Sequence, residues 1–416
     1  MQEVLLSPLM QFSQITGQQE VKKQLVELVQ HNRLSHALLF LSKEGSGALS
    51  LAMALAQYIT CEKLNNRQPA DSSHHSEPSL FGDEPVKSAI VNLKSEMDSC
   101  GSCPSCTKAN QLIHPDIHFS YPVVTKKPGT PPLSTDYISE WREFIKSYPY
   151  GNTYDWLQFI GAENKQGNIT AHECNDIIRK LSLKSFESEY KVLIMWMPEY
   201  LGTEGNKLLK LIEEPPPNTL FILVAENDSL LLPTILSRCQ LIKIPALETT
   251  DIEKALIEKN STDAAKARQV AATAEGNYRE ALQLLQHAEE DWQSLLREWL
   301  NAILKTGPVA QTKWVEEISR LGREKQKQFL RYFNHLLEQS IRSKIMGSHM
   351  HLPDNEKDFA DRLNRLADIS QQQAIIEELD RATYHIERNA YSKILFHALT
   401  IKLYHIIQDK IVFLAT

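Results

Sequence analysis

The stretch LLFLSKEGSGALSLAMALAQYI, residues 38–59, decides how the rest of the chain is read. A short apolar block leads through Gly45 and Gly47 into a segment where Leu49, Ala52, Met53 and Ala56 recur at helical spacing. The pattern predicts a buried strand, a tight loop and an amphipathic helix, which is the layout of a phosphate-binding loop. Such a loop normally ends in Lys and then Ser or Thr. Its backbone amides cradle the phosphates, the Lys reaches the β- and γ-phosphates, and the hydroxyl holds Mg²⁺. In the aligned window 42–49, Ser42 replaces the first glycine, and Ala48 and Leu49 stand where Lys and the hydroxyl belong. Only a backbone turn through Gly45, Gly47, Ala48 and Leu49 can survive. No productive ATP site is expected.

A second strand carries the same message. VLIMWMPEYL, residues 192–201, is where an Asp-Glu pair would hold the metal and activate water, and it offers Trp196, Met197 and Pro198, with Glu199 beyond them. Losing the Lys and the acids together removes the main electrostatic stabilisers of phosphoryl transfer. The other apolar runs, HALLFL, TLFILVAEN and LIKIPAL, alternate with helical segments such as 18–32 and 172–185. GTEGNKLLKLIEE reads as one further helix, stopped by Pro215. Helix–strand alternation with nearly continuous apolar strands predicts a parallel sheet covered on both faces.

After about residue 246 the strands disappear. Residues 250–290 read as a small helical module, and the pattern stays helical to the end, as at Leu395, Leu399, Leu403 and Ile406. Two polar, Pro-rich stretches, 62–98 and 121–136, read as surface loops. His74 and His75 in the first read as solvated, and MGSHM at 346–350 carries no weight.

With 416 residues and 42% hydrophobic content, the chain is globular and long enough for two or three domains. The net charge of −7 argues against a protein that grips DNA unaided, because such affinity comes mostly from neutralising phosphates. No apolar run approaches a membrane span and no signal peptide is visible, so a cytoplasmic location without membrane contact is expected.

The six cysteines of a cytosolic chain are not expected to form disulfides. CGSCPSC places Cys100, Cys103 and Cys106 at C-x₂-C-x₂-C spacing, one knuckle of a tetrahedral zinc site that needs a fourth ligand. Cys61, at the end of the helix after the phosphate loop, is the best candidate, with His114 and His118 as competitors. A complete cysteine set would be structural, with no open position for catalysis. In LLPTILSRCQ, Arg238 follows a Pro-containing turn, and an Arg presented at a domain edge can reach a neighbour's nucleotide. Arg279, in GNYREAL, opens a helix and reads as structural.

Together these stretches resemble the delta-prime subunits of the bacterial DNA polymerase III clamp loader, within the AAA+ superfamily. The likeness rests on GQQEVKKQLVELVQHNRLSHALLF, CGSCPSC with HPDIH, NKLLKLIEEPPPNTLFIL, LLPTILSRCQ and GNYREAL, with IERNAYSKILFHALTIKL a weaker match to a last collar helix. The resemblance implies an α/β RecA-like AAA+ domain with an inserted zinc module over residues 1–245, a helical lid at 246–290 and an all-α collar for oligomerisation at 291–416. It further implies a non-hydrolysing subunit of a ring with gamma/tau ATPase and delta subunits, loading a sliding clamp on primer-template DNA. Within that ring Arg238 would act as an arginine finger on the neighbour's ATP, and Cys61, Cys100, Cys103 and Cys106 would hold structural Zn²⁺. Two rival readings are an active clamp-loader ATPase, which lacks the Lys and acids it needs, and a zinc-dependent nucleic-acid-binding protein, which the acidic balance disfavours. Segment 119–168 is longer than the family pattern and receives no function.

Overall fold

The computed structural model describes residues 10–65, 97–162, 165–286, 292–346, 354–387 and 390–410. Nearly all of the polar stretch 62–98, including His74 and His75, and nearly all of MGSHM lie outside them. The chain divides into two compact units, Met1–Leu285 and Gln286–Thr416.

The first unit is built on five strands, β1 (Ala37–Ser42), β2 (Ile117–Ser120), β3 (Lys191–Trp196), β4 (Thr219–Ala225) and β5 (Gln240–Ile244). They run parallel in the order β2-β3-β4-β1-β5. Every residue of β3 and β4 is buried, as central strands covered on two faces require. The parallel-sheet α/β architecture is therefore as expected. β2 escapes the sequence pattern because it is four residues long and carries His118 and Ser120.

The helices that concern the site are α1 (Gln19–Gln30), α2 (Ala48–Thr60), α3 (Pro104–Asn110), α4 (Ile138–Ser147), α5 (Thr153–Phe159), α6 (Ala171–Ser182), α7 (Thr249–Asn260), α8 (Ala264–Thr273) and α9 (Tyr278–Gln286). Two expectations need correction. The predicted amphipathic helix α2 is buried on every side. Its polar residues are accommodated inside: Ser50 Oγ donates to Pro149 O (3.0 Å), and Gln57 Nε2 donates to Ser99 Oγ (2.9 Å). GTEGNKLLKLIEE is not one helix either. Gly202, at φ +51°, ψ −138°, interrupts a 3₁₀ segment Pro198–Leu208 before the short helix Leu209–Glu213.

The stretch after β2 is a loop, exposed over residues 125–131 as expected, but its first residues are buried. Tyr121 stacks on Trp141 at 3.9 Å, and Trp141 meets Trp156 and Trp196 edge-on or tilted at 5.3 Å. Trp196, in place of a catalytic acid, thus fills an aromatic core beside α2. Just before β2, the buried Asp116 carboxylate accepts the backbone N–H groups of Phe186 (2.6 Å), Glu187 (2.8 Å) and Ser188 (2.8 Å). Asp116→Asn points an amide N–H at donors that need an acceptor. It is expected to lower unfolding free energy by about 2–3 kcal/mol, read from the urea midpoint. An unchanged midpoint would show that this loop is held by something else.

The second unit is helical throughout its described residues. Its core stacks Trp299 on Trp314 at 4.5 Å, ringed by Phe329, Phe333 and Phe396. The helix Ser392–Gln408 buries Leu399, Leu403 and Ile406 while leaving Ile394 69% and Ile401 55% exposed. Among the described residues, no helix is long and apolar enough to cross a membrane.

Candidate functional site

The phosphate loop forms the turn its glycines permit. Gly45 has φ +72° and Gly47 has φ +85°, a region other residues enter at a cost, and Gly47 caps α2. The space above the loop is filled by the protein. A Cβ on Gly47 would lie 2.9 Å from the Tyr150 ring, and one on Gly45 would lie 1.9 Å from Asn277 Oδ1. The buried Tyr150 hydroxyl accepts the Thr16 N–H at 3.0 Å, and its ring meets Tyr278 edge-on at 4.8 Å. Tyr278 N–H donates to Gly45 O at 3.2 Å, which brings the start of α9 onto the loop.

The cavity left among Ser46, Ala48, Tyr150 and Met197 measures about 30 Å³. That holds a water or two, where ligand pockets run to roughly 300–1,000 Å³. Glu199, the acid just past β3, is turned to another task. Its Oε1 accepts the N–H groups of Glu226 (2.6 Å) and Asn227 (2.9 Å), fixing the turn after β4, and burial raises its pKa.

Arg279 is 4% exposed. Its Nη2 donates to Asp155 Oδ1 at 2.6 Å and its Nε to Asp155 Oδ2, a two-pronged pair, while Nη1 reaches Glu44 Oε1 at 2.9 Å. Asp155 also closes a capping box at the start of α5: its N–H donates to Asn152 Oδ1 (2.9 Å), and its carboxylate accepts Asn152 N–H (3.1 Å). Sequence reading missed Tyr150 and Asp155. The Asn152-x-x-Asp155 spacing was the one local signal, and it announces a helix start rather than a partner 124 residues away.

The four cysteines converge. Their sulfurs all lie within 4.8 Å of one another, so α2 delivers Cys61 to the knuckle. All four are free thiols, and Cys61, Cys103 and Cys106 are buried. Pro104 starts α3 immediately after Cys103, and Cys103 Sγ accepts the Cys106 N–H at 3.4 Å. Cys100 Sγ accepts the Cys103 N–H at 3.3 Å, and Cys61 Sγ accepts the Cys100 N–H at 3.5 Å. Against its burial, the backbone donors of Ser102 and Cys103 bring the Cys100 thiol down to about 6.

Zinc bonds of about 2.3 Å give a sulfur tetrahedron with edges of about 3.8 Å, the distance between Cys100 Sγ and Cys106 Sγ. The donor set fits a structural Zn²⁺, which would bind four thiolates and leave no open position. His114 is not turned to it: Nε2 lies 2.9 Å from Ser105 Oγ, and Nδ1 accepts the Asp116 N–H. Cys174 and Cys239 are elsewhere in the fold, each pushed up to about 11 by burial.

Arg238 follows the short helix Pro233–Leu236 and precedes β5, one of the two edge strands of the sheet. Its guanidinium is about one third exposed, donates to Thr234 O at 2.7 Å and pairs with Glu213. It is partly open to solvent and held by groups of its own chain.

A family model described as DNA polymerase III, delta subunit, matches residues 17–80 and 81–248. The chain is 25% identical over 272 residues to the DNA polymerase III subunit delta' of Bacillus subtilis (strain 168), covering 65% of this chain and 60% of that protein. It is 27% identical over 205 residues to the subunit delta' of Haemophilus influenzae, covering 49% and 41% respectively. With the subunit tau of Bacillus subtilis it shares 24% identity over 311 residues, covering 72% and 41%. The chain therefore spans less than two thirds of the length of each of these relatives.

Proposed function

The chain belongs to the family described as DNA polymerase III, delta subunit, and on that premise we propose that it is a delta-prime-type, non-hydrolysing member of a clamp-loader ring. The observation that carries this reading is a pairing of opposites. The chain's own phosphate loop has Ala48 and Leu49 in place of the Lys and the hydroxyl, Trp196 and Met197 in place of the acids, and Tyr150 packed over it, while Arg238 stands about one third exposed at the sheet edge. Chemistry lost at one site and an arginine kept at another fit a subunit that serves a neighbour's ATP.

In this reading the first unit faces a gamma/tau-type ATPase, with Arg238 as the arginine finger. The helices after residue 290 form the collar, where Ile394 and Ile401 supply apolar surface for assembly. The ring, with a delta subunit, opens a sliding clamp and loads it on primed DNA in the cytoplasm. The zinc module of Cys61, Cys100, Cys103 and Cys106 is structural, and DNA is met through the assembly rather than by this acidic chain alone.

The test is reconstitution. The full chain, mixed with its cognate ATPase and delta subunits, is expected to co-elute as one complex with clamp-loading activity. Alone, it is expected to show no ATP turnover above background. Turnover by the isolated chain, or failure to join the complex, overturns the reading.

A further inference from the structure

Arg279 raises a question that a non-hydrolysing subunit need not answer by itself. A guanidinium only 4% exposed is carried by α9, whose first residue donates its N–H to Gly45 O, and it reaches Glu44 of the phosphate loop at 2.9 Å. Left unpaired there, it would be a buried charge with nothing to compensate its lost hydration. Its partner comes from segment 119–168, which the sequence left without a task.

We propose that residues 149–155 are the permanent occupant of this chain's nucleotide site: Tyr150 fills the cradle above the phosphate loop, and the Asp155 carboxylate takes the place of a nucleotide phosphate on Arg279. The inference rests on the reading above that the site works without ATP, and adds what does the work instead. The occupant is held at each point. Pro149 O receives the Ser50 hydroxyl from α2, the Tyr150 hydroxyl receives Thr16 N–H, and the capping box with Asn152 fixes the Asp155 rotamer. Arg279 then finds a planar acceptor matched to its fork, the two-pronged arrangement in which Arg binds either carboxylate or phosphate.

The consequence is mechanical. In a site that binds nucleotide, the ligand ties the helices carrying such an arginine to the sheet, and the tie changes with the ligand. Here the tie is covalently part of the chain. It joins α9 to α5 and, through Glu44, to the phosphate loop, so α7–α9 keep one placement on the sheet whatever the nucleotide concentration. An incoming nucleotide would have to displace the Tyr150 ring. Its phosphates would meet Ala48 where a Lys would otherwise reach them, and they would have to compete with Asp155 and Glu44 for Arg279.

Hydrogen exchange read by mass spectrometry on the full chain tests this. In the native protein, 1 mM ATP with Mg²⁺ is expected to leave exchange unchanged in residues 43–50 and 278–286. Asp155→Asn, which keeps the size of the side chain and removes its charge, is expected to speed exchange about tenfold or more in both segments together. Strands β3 and β4 should not change. Arg279→Lys keeps a cation beside both carboxylates and gives up only the two-pronged geometry. It is the variant for the case in which Asp155→Asn does not fold, and it should show the same paired acceleration, smaller in size. Slower exchange on adding ATP to the native protein would overturn both the inference and the nucleotide-free reading beneath it. No ATP effect, together with unchanged exchange in the variants, would overturn the internal occupant alone.

Discussion

Replacing Arg238 with Ala is expected to leave the ring assembled while lowering its clamp- and DNA-stimulated ATP turnover, with a loss of about 10³-fold at the one site the arginine faces. The reasoning starts from the pose of the side chain in the free protein. Its pair with Glu213 involves groups about one third and two fifths exposed, and a pair so open to water contributes at most about 1 kcal/mol. The pair positions Arg238 without committing it. A phosphate oxygen offers the guanidinium the same acceptor geometry as the Glu213 carboxylate and more negative charge, so exchange of one for the other in a complex costs little.

Arg238→Lys keeps the charge but loses the rigid fork, and is expected to recover only a small part of the rate. If other sites in the proposed ring hydrolyse independently of this arginine, the steady-state loss equals the share of turnover its site carries. Single-turnover measurements separate that share from the rest. Unchanged turnover in a complex shown to be intact would remove Arg238 from catalysis and leave it a surface residue paired with Glu213.

How much of this was legible beforehand depends on the range of each interaction. β3 and β4 could be read because a parallel strand buried on two faces must be apolar along its whole length. The phosphate-loop turn could be read because Gly45 and Gly47 mark backbone that other residues avoid. β2 could not, since an edge strand of four residues with a histidine and a serine has no periodicity to detect. The complete burial of α2 was hidden for a related reason. Ser50, Gln57 and Thr60 look like a solvated face until Pro149, Ser99 and the helix's own Ala56 carbonyl supply their partners.

The site divides the same way. Cys100, Cys103 and Cys106 announce themselves by spacing, and Cys61 follows from where α2 ends. Asp155 and Tyr150 give no local sign of what they meet. Their partners, Arg279 and Thr16, lie more than 100 residues away, and pairing at that distance is a property of the fold rather than of any window of sequence.

Loss of the metal site is expected to have the second large effect. The purified protein should contain close to one zinc per chain, and Cys103→Ser should abolish it, whereas Cys174→Ser, at a buried thiol in α6, should not. The damage should spread along a defined route. Ser99 and Asp98, just before Cys100, hold the strap ahead of α1: Gln11 Nε2 donates to Ser99 O (2.7 Å), and Phe12 and Ser13 N–H donate to Asp98 at 3.0 and 2.8 Å. On the other side of the knuckle, Ser105 Oγ donates to Thr60 O at the end of α2 (2.7 Å).

Zinc bound by cysteine clusters contributes folding free energy directly, because no preformed site exists in the unfolded chain. Removing it should cost the first unit several kcal/mol. At roughly 2–4 °C per kcal/mol for a unit of this size, the melting temperature should fall by about 10 °C or more. Chelation should open residues 97–106 and the strap 10–14 to protease before the sheet, since β3 and β4 supply none of the four thiols and meet the cluster only through α2. Metal analysis that finds no zinc in the native protein, or a Cys103→Ser variant that melts unchanged, would show that the four thiols are packed together without a metal to bind.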